Sequence, residues 1–105
     1  MTTQKFSGKV KDLVDRATRG SAEDIDYIMN HLTPDASLSV TRFVDYAMSL
    51  VEQEAGVRRL EHYLFNGTQI QRNYCSLFFN RRDDWHLVKQ AYDKGLVDEI
   101  QAYAR

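Results

Sequence analysis

Apolar residues recur every three or four positions along the chain, and the alternation typical of a half-buried strand is nearly absent. This spacing places apolar side chains on one face of a helix. Six or seven short stretches carry the pattern, and short turns between them make successive helices antiparallel neighbours. The sequence therefore predicts an all-α fold, as a compact bundle or a short helical stack. The predicted inward residues are Val10, Leu13, Val14 and Ala17; Ile25, Ile28, Met29 and Leu32; Val44, Ala47, Met48 and Val51; Ile70, Tyr74, Leu77 and Phe78; and Trp85, Val88, Ala91 and Tyr92. In the last segment, the predicted apolar side is Ile100 with Tyr103 or Ala104.

Capping residues and helix breakers separate these stretches. Polar side chains that accept hydrogen bonds from free N–H groups begin helices, and Gly, Asn or Pro end them. The predicted N-caps are Ser7, Ser21 in a near capping box with Asp24, Ser37 or Ser39, Thr68, Asp83 or Asp84, and Asp98. The predicted ends are Gly20, Pro34, the Asn66-Gly67 pair, where both residues suit left-handed geometry, and Gly95. The apolar stripe changes phase at Gly56, which predicts a break or kink there.

Composition indicates an ordinary globular chain. Its 105 residues fit a single domain, 1–105, and 43% of them are hydrophobic while 28% are charged. The formal net charge of −1 neither demands a nucleic-acid partner nor suggests a repelling acidic tail.

The expected setting is the cytoplasm. The stretch "MTTQKFSGKVKDL" has no apolar core of a signal peptide, and no run approaches the roughly 18 apolar residues that a membrane span needs. The single cysteine, Cys75, has no internal disulfide partner.

Residues with catalytic or metal-binding chemistry are scattered rather than grouped. His31, His62 and His86 lie one to a helix, without the close spacing of metal-binding pairs. Cys75 lies in mid-helix beside an apolar face, which favours a small buried filler over a nucleophile. We therefore expect no metal, no cofactor and no catalytic residue, and an enzyme that uses a thiol or a histidine is the least favoured function.

The stretch "FNGTQIQRNYCSLFFNRRDDW", residues 65–85, concentrates aromatic, basic and amide side chains. Over residues 57–105, eight basic side chains face six acidic ones, and Asp83 and Asp84 directly follow Arg81 and Arg82. These arginines could form a phosphate-binding surface, but the excess is small, and the favoured interpretation is that cations in a last helical turn complement the helix dipole. The amides Gln69, Gln71, Asn73 and Asn80 could line a polar cleft, but an exposed helix face is the favoured interpretation, because positions 69, 73 and 80 avoid the predicted apolar stripe.

Phe78 and Phe79 are adjacent, so they point about 100° apart on a helix and cannot both face one narrow core seam. Two apolar surfaces are therefore needed around this helix. Either neighbouring helices lie on both sides of it, or one face is left for a partner.

Residues 68–95 resemble a short HEAT-like (armadillo-type) helical repeat, and residues 42–67 resemble one more loosely. In such a repeat a first helix carries an arginine, a small residue three positions on and then a leucine-like residue, and an acid follows in the turn. The matching residues here are Arg72, Cys75, Phe79 and Asp83 or Asp84, followed by the second helix "WHLVKQAY" with Val88 and Ala91. Asn73 and Tyr74 depart from the usual apolar or small pair. The resemblance implies a stacked-helix binding scaffold, with an arginine that pairs with carboxylates in turns and no catalysis of its own.

These observations lead to a protein-interaction or adaptor module as the expected function. The candidate contact residues are Arg58, Arg72, Arg81, Arg82 and Trp85, which lie near helix ends. The alternative is a nucleic-acid-binding domain that uses the same arginines with aromatic side chains. A homodimer is a further expectation, because the amphipathic segment "GLVDEIQAYAR" has no helix after it to cover it.

Overall fold

The computed structural model describes residues 8–105, and within them every regular element is an α-helix. The predicted all-α fold is thus confirmed, with seven helices in the described range. The predicted N-cap Ser7 lies outside the described residues. The helices are α1 (Gly8–Arg19), α2 (Ala22–Met29), α3 (Leu38–Met48), α4 (Glu54–Asn66), α5 (Gln69–Arg81), α6 (Trp85–Asp93) and α7 (Glu99–Tyr103).

Most helix starts follow the predicted caps. The Ser21 hydroxyl accepts from the Asp24 N–H at 3.1 Å, and the Asp24 carboxylate accepts from the Ser21 N–H at 3.2 Å, which completes the capping box. Thr68 caps α5 and Asp98 caps α7 through the same kind of side-chain bond. Ser37, rather than Ser39, caps α3.

Helix ends use two different devices. Gly20 and Gly95 adopt the left-handed conformation, with φ of +68° and +76°, as expected of glycine directly after a helix. Neither Asn66 nor Gly67 adopts a positive φ, so the left-handed stop predicted for this pair is wrong although α4 does end at Asn66. A Cβ on Gly67 would lie 2.7 Å from the Tyr63 carbonyl oxygen, so close approach of the backbone explains this glycine.

A helix break was predicted at Gly56, but the chain leaves the helical conformation earlier, between α3 and α4. Helix α3 ends at Met48, and Leu50 and Val51 donate to the carbonyls three residues back, at 2.9 and 3.0 Å, as the helix tightens and ends. Gly56 is inside the first turn of α4 and is buried. A Cβ there would lie 2.8 Å from the Gly20 carbonyl oxygen and 2.9 Å from Val51 Cγ1, so the glycine permits a close approach rather than a break.

The chain divides into two units, and the first runs to Arg59. Within it α1 contacts α2 and α3, and α2 contacts α3. Every inward residue predicted for the second and third stretches is buried, whereas Val10 and Val14 of α1 are only half-buried. The buried apolar residues of this unit are Leu13, Ala17, Ile25, Ile28, Met29, Leu32, Val44, Ala47, Met48 and Val51.

The second unit runs from Leu60 to Arg105, and in it α5 contacts both α6 and α7 while α6 contacts α7. Because α5 has two neighbours, Phe78 and Phe79 are both buried, which is the first of the two arrangements expected for them. The predicted inner face of α5 was partly wrong. Ile70, Tyr74 and Leu77 are only half-buried, whereas Gln71, Cys75, Ser76 and Asn80 are buried.

Gly56 provides a test of the close approach inside the first unit. In an exposed helix, Gly→Ala raises stability by about 1 kcal/mol through helix propensity. Here the new methyl would meet the Gly20 carbonyl, so we expect Gly56→Ala to lower the free energy of unfolding by about 1–3 kcal/mol. Denaturant titration measures this difference. A stabilised variant would contradict the contact.

Asp24 provides a test of charge at the start of α2. Burial opposes its ionisation, but hydrogen bonds from the Ser21 hydroxyl and N–H and the nearby Arg19 guanidinium outweigh burial and hold its pKa below the ordinary 3.8. The carboxylate therefore adds stability above that pH, and the contribution is lost as the pH falls through the lower folded-state pKa.

We expect Asp24→Asn to lower the free energy of unfolding by about 1–3 kcal/mol at neutral pH, because bonds to a charged group are lost. The difference from wild type should shrink as the pH falls below 3.8. Glu23→Gln is the control, since Glu23 is an exposed acid in the same helical turn, and it should change stability by at most about 0.5 kcal/mol. Denaturant titrations over a pH series measure the free energy of unfolding of both variants. Equal losses of stability in the two variants would refute the role of Asp24.

Candidate binding cleft

The second unit contains an open cleft between the end of α5, one face of α6, and α7 with the residues that follow it. Its volume is about 390 Å³. Its walls are mainly apolar, with a few polar groups, as in most small binding sites. The lining residues are Asn80, Trp85, Lys89, Tyr92, Asp93, Ala102, Tyr103 and Arg105.

Helix α6 supplies Trp85, Lys89 and Tyr92 at positions i, i+4 and i+7, which places them along one side of the helix. Val88 and Ala91 are buried, as predicted. Trp85 and Tyr92 were predicted to point inward, but they are 58% and 40% exposed. Helix α6 contacts α5 and α7, and these neighbours cover only the Val88 side, so the two aromatic rings border the cleft instead.

The turn before α6 fixes the start of that helix at Trp85. Asp83 has a positive φ of 64°, which an aspartate tolerates better than most residues, and the Asp84 N–H donates to the Phe79 carbonyl at 2.9 Å. Asp84 occupies the N-cap position, as predicted, but its side chain makes no capping hydrogen bond. The tight turn directs the chain back along α5.

Helix α7 supplies Tyr103, and a buried amide holds this short helix in place. The Nδ2 group of Asn80 donates to the carbonyls of Ala102 and Ala104 at 3.0 and 2.9 Å. Asn80 is only 2% exposed, so its predicted place on an exposed face is wrong, and the same holds for the buried Gln71. Gln71 is buried because its side chain accepts the Thr68 N–H at 2.8 Å.

The two basic side chains of the cleft, Lys89 and Arg105, each pair with an acid. Lys89 Nζ lies 2.8 Å from Asp93 Oδ2, and the hydrogen bond and the charge of Asp93 together raise the pKa of Lys89. Arg105 lies 3.4 Å from the Asp83 carboxylate. Because both pairs are exposed, they add little stability, but they leave the cleft without a strong field of either sign.

Four of the five candidate contact residues lie outside the cleft lining, and Trp85 alone of them lies within it. Arg58 belongs to the first unit, is exposed and pairs with Glu54 at 2.6 Å. Arg81 and Arg82 are exposed at the end of α5. Arg82 pairs with Asp84 at 3.5 Å, and its guanidinium lies 5.3 Å from the centre of the Phe78 ring.

Arg72 is committed to the interior bonding of the second unit. Its guanidinium donates to the carbonyls of Leu96 and Gly67, both at 2.7 Å, and to Gln69 Oε1 at 2.9 Å. These bonds join the turn before α5 to the turn after α6. Arg72 thus fastens two turns together.

Lys89, Tyr92, Tyr103 and Asn80 belong to the site but were not among the predicted contact residues. Tyr103 lies on the side of α7 that was predicted to be apolar, and it is 76% exposed. The role of Asn80 had no local signal, because its partners lie 22 and 24 residues away.

Cys75 and His31 are both engaged within their own units. Cys75 is fully buried, and burial raises the pKa of its thiol far above the neutral range, so a thiolate is disfavoured. His31 uses both ring nitrogens inside the first unit, toward the Tyr27 carbonyl and Lys9. Across residues 8–105, no group of three His, Cys, Asp or Glu side chains is arranged to hold a metal ion.

Comparisons with protein-family models, curated proteins and solved structures found no match. Of the helices described, none combines the length and apolar character that crossing a membrane would require.

Asn80→Ala tests how α7 is held against the cleft. The change removes two buried hydrogen bonds, so we expect a loss of about 2–3 kcal/mol in the free energy of unfolding and faster amide exchange in residues 99–105. Asn73→Ala is the control, because its side chain bonds only Gln69 at the surface. Hydrogen exchange followed by mass spectrometry measures the exchange rates in both variants. Unchanged exchange in residues 99–105 would show that Asn80 does not hold this helix.

Proposed function

We propose that this chain is a small cytoplasmic protein-interaction module, without catalytic activity of its own, that binds another protein through the face formed by α6 and α7. The observation that carries the proposal is the exposure of Trp85, Tyr92 and Tyr103 around one open cleft. Exposed aromatic side chains that are grouped together mark interaction sites more often than chance exposure does.

The polar atoms of these aromatic residues support a protein ligand. In the described residues, the Trp85 indole N–H and the Tyr92 and Tyr103 hydroxyls make no hydrogen bond to the protein itself. Tyr and Trp combine a large apolar surface with such a polar group, which explains their enrichment at protein interfaces. The HEAT-like resemblance of residues 68–95 is in line with a binding scaffold of this kind.

Nucleic acid has less support as the ligand. Arg58, Arg82, Lys89 and Arg105 all pair with acids, and phosphate binding requires free positive charge along a continuous path. Arg72 is occupied by carbonyl groups. The aromatic face therefore fits a protein surface better than a phosphate backbone.

Photo-crosslinking from within living source cells tests the proposal. Tyr103 would be replaced by benzoylphenylalanine, and Leu38, an exposed apolar residue of the first unit, would carry the same probe as the control. We expect discrete protein adducts from position 103 that are absent from position 38 and resist nuclease treatment. Equal patterns from both positions, or none from position 103, would refute the proposal. Adducts that vanish with nuclease would transfer the assignment to nucleic acid.

A further inference from the structure

The exposed face of α6 and α7 has the apolar area that one side of a symmetric dimer requires. Trp85, Tyr92, Ile100 and Tyr103 are the large apolar side chains exposed in the described part of the second unit, and all four lie on these two helices. With Ile100 at 77% and Tyr103 at 76% exposure, the four side chains present roughly 500 Å² of surface.

This area is as large as the apolar part of one side of a homodimer interface. A stable interface buries about 800 Å² on each partner, and homodimer interfaces are about 65% apolar, so each side needs roughly 500 Å² of apolar surface. The largest apolar patches of monomers reach about 300–600 Å² and are often functional. The face defined by these four residues therefore supplies the required apolar area without help from other elements.

The start of α7 is acidic, whereas α6 is neutral. With the residue on either side, α6 carries Asp84, Lys89, Asp93 and Lys94, while Asp98 precedes α7 and Glu99 begins it. Among the described residues neither Lys94 nor Glu99 forms an ion pair within one copy, and Lys94 lies over the Phe65 ring at 5.3 Å. Glu99 is thus available to a partner.

We infer that the protein bound by this face is a second copy of the same chain, with α6 of each copy facing α7 of the other. This inference rests on the proposed function and names its partner. A two-fold axis makes the contact reciprocal, so one self-complementary surface is used twice. The α6-to-α7 pairing brings Glu99 of each copy toward Lys94 of the other, and in the described part of the chain neither residue forms an ion pair within its own copy. The cleft, at about 390 Å³, has room for apolar side chains of the facing copy.

Sedimentation velocity on the purified full-length chain, from micromolar to millimolar concentration, tests the inference. We expect a monomer–dimer equilibrium in the wild type. Trp85 is the single tryptophan, so its fluorescence should shift to the blue and its quenching by acrylamide should fall as the dimer forms. A wild-type chain that stays monomeric throughout this range would overturn the inference.

A pair of matched variants locates the interface. Ile100→Lys and Leu38→Lys each place a lysine in the first turn of a helix at an exposed apolar position, the control site being 67% exposed and in the other unit. Ile100→Lys should raise the dimer Kd about tenfold or more, while Leu38→Lys leaves it within about twofold. Tyr103→Lys repeats the test at a second position. A dimer that survives both second-unit changes would overturn the assignment of this face.

Glu99→Gln tests the pairing of the helices. It should weaken the dimer at low salt, and the difference from wild type should disappear at high salt, where exposed charges are screened. An unchanged dimer Kd at low salt would overturn the α6-to-α7 pairing. A monomer in these experiments, combined with crosslinks to a different protein from position 103, would refute self-association while leaving the proposed function intact.

Discussion

Helix length is the constraint on which the described structure depends. Its longest helices have 13 residues and α7 has five, whereas isolated helices shorter than about 12–15 residues are marginal in water. Most of these helices therefore depend on an apolar face that is buried against a neighbour, whereas α7 buries none of its own residues and depends on its cap and on the bonds from Asn80. Capping side chains such as Ser21, Thr68 and Asp98 satisfy free N–H groups at the helix starts.

Two polar side chains, the half-buried Arg72 and the buried Asn80, complete what capping begins in the second unit. Arg72 saturates the carbonyls of Gly67 and Leu96 in two separate turns, and Asn80 saturates those of Ala102 and Ala104 beyond the reach of α7's own bonds. These carbonyls belong to half-buried residues and have no partner within a helix, so the two side chains give the turns and the last segment hydrogen bonds that apolar contact alone would not provide. The position of Tyr103, and with it one wall of the cleft, follows from the Asn80 bonds.

Local chemistry explains which features could be predicted from the sequence. Caps at Ser21 and Thr68 and the left-handed glycines act within four residues, so their signals are complete in a short window. The roles of Gly56 and Asn80 depend on Gly20 and on residues 102–104, which only the folded chain brings near. For this reason the helix break was wrongly predicted at Gly56. In the sequence alone, a glycine that permits a close approach cannot be distinguished from a glycine that ends a helix.

The error at Trp85 and Tyr92 carries functional information. Periodicity assigns both to a buried face, and periodicity reports only that a face is apolar, without saying which molecule covers it. In the fold, α5 and α7 cover the Val88 side of α6, and the aromatic rings remain at the surface. Places where an apolar pattern and the folded chain disagree are more often functional than accidental. This exposed apolar face is the observation on which the proposed protein partner rests.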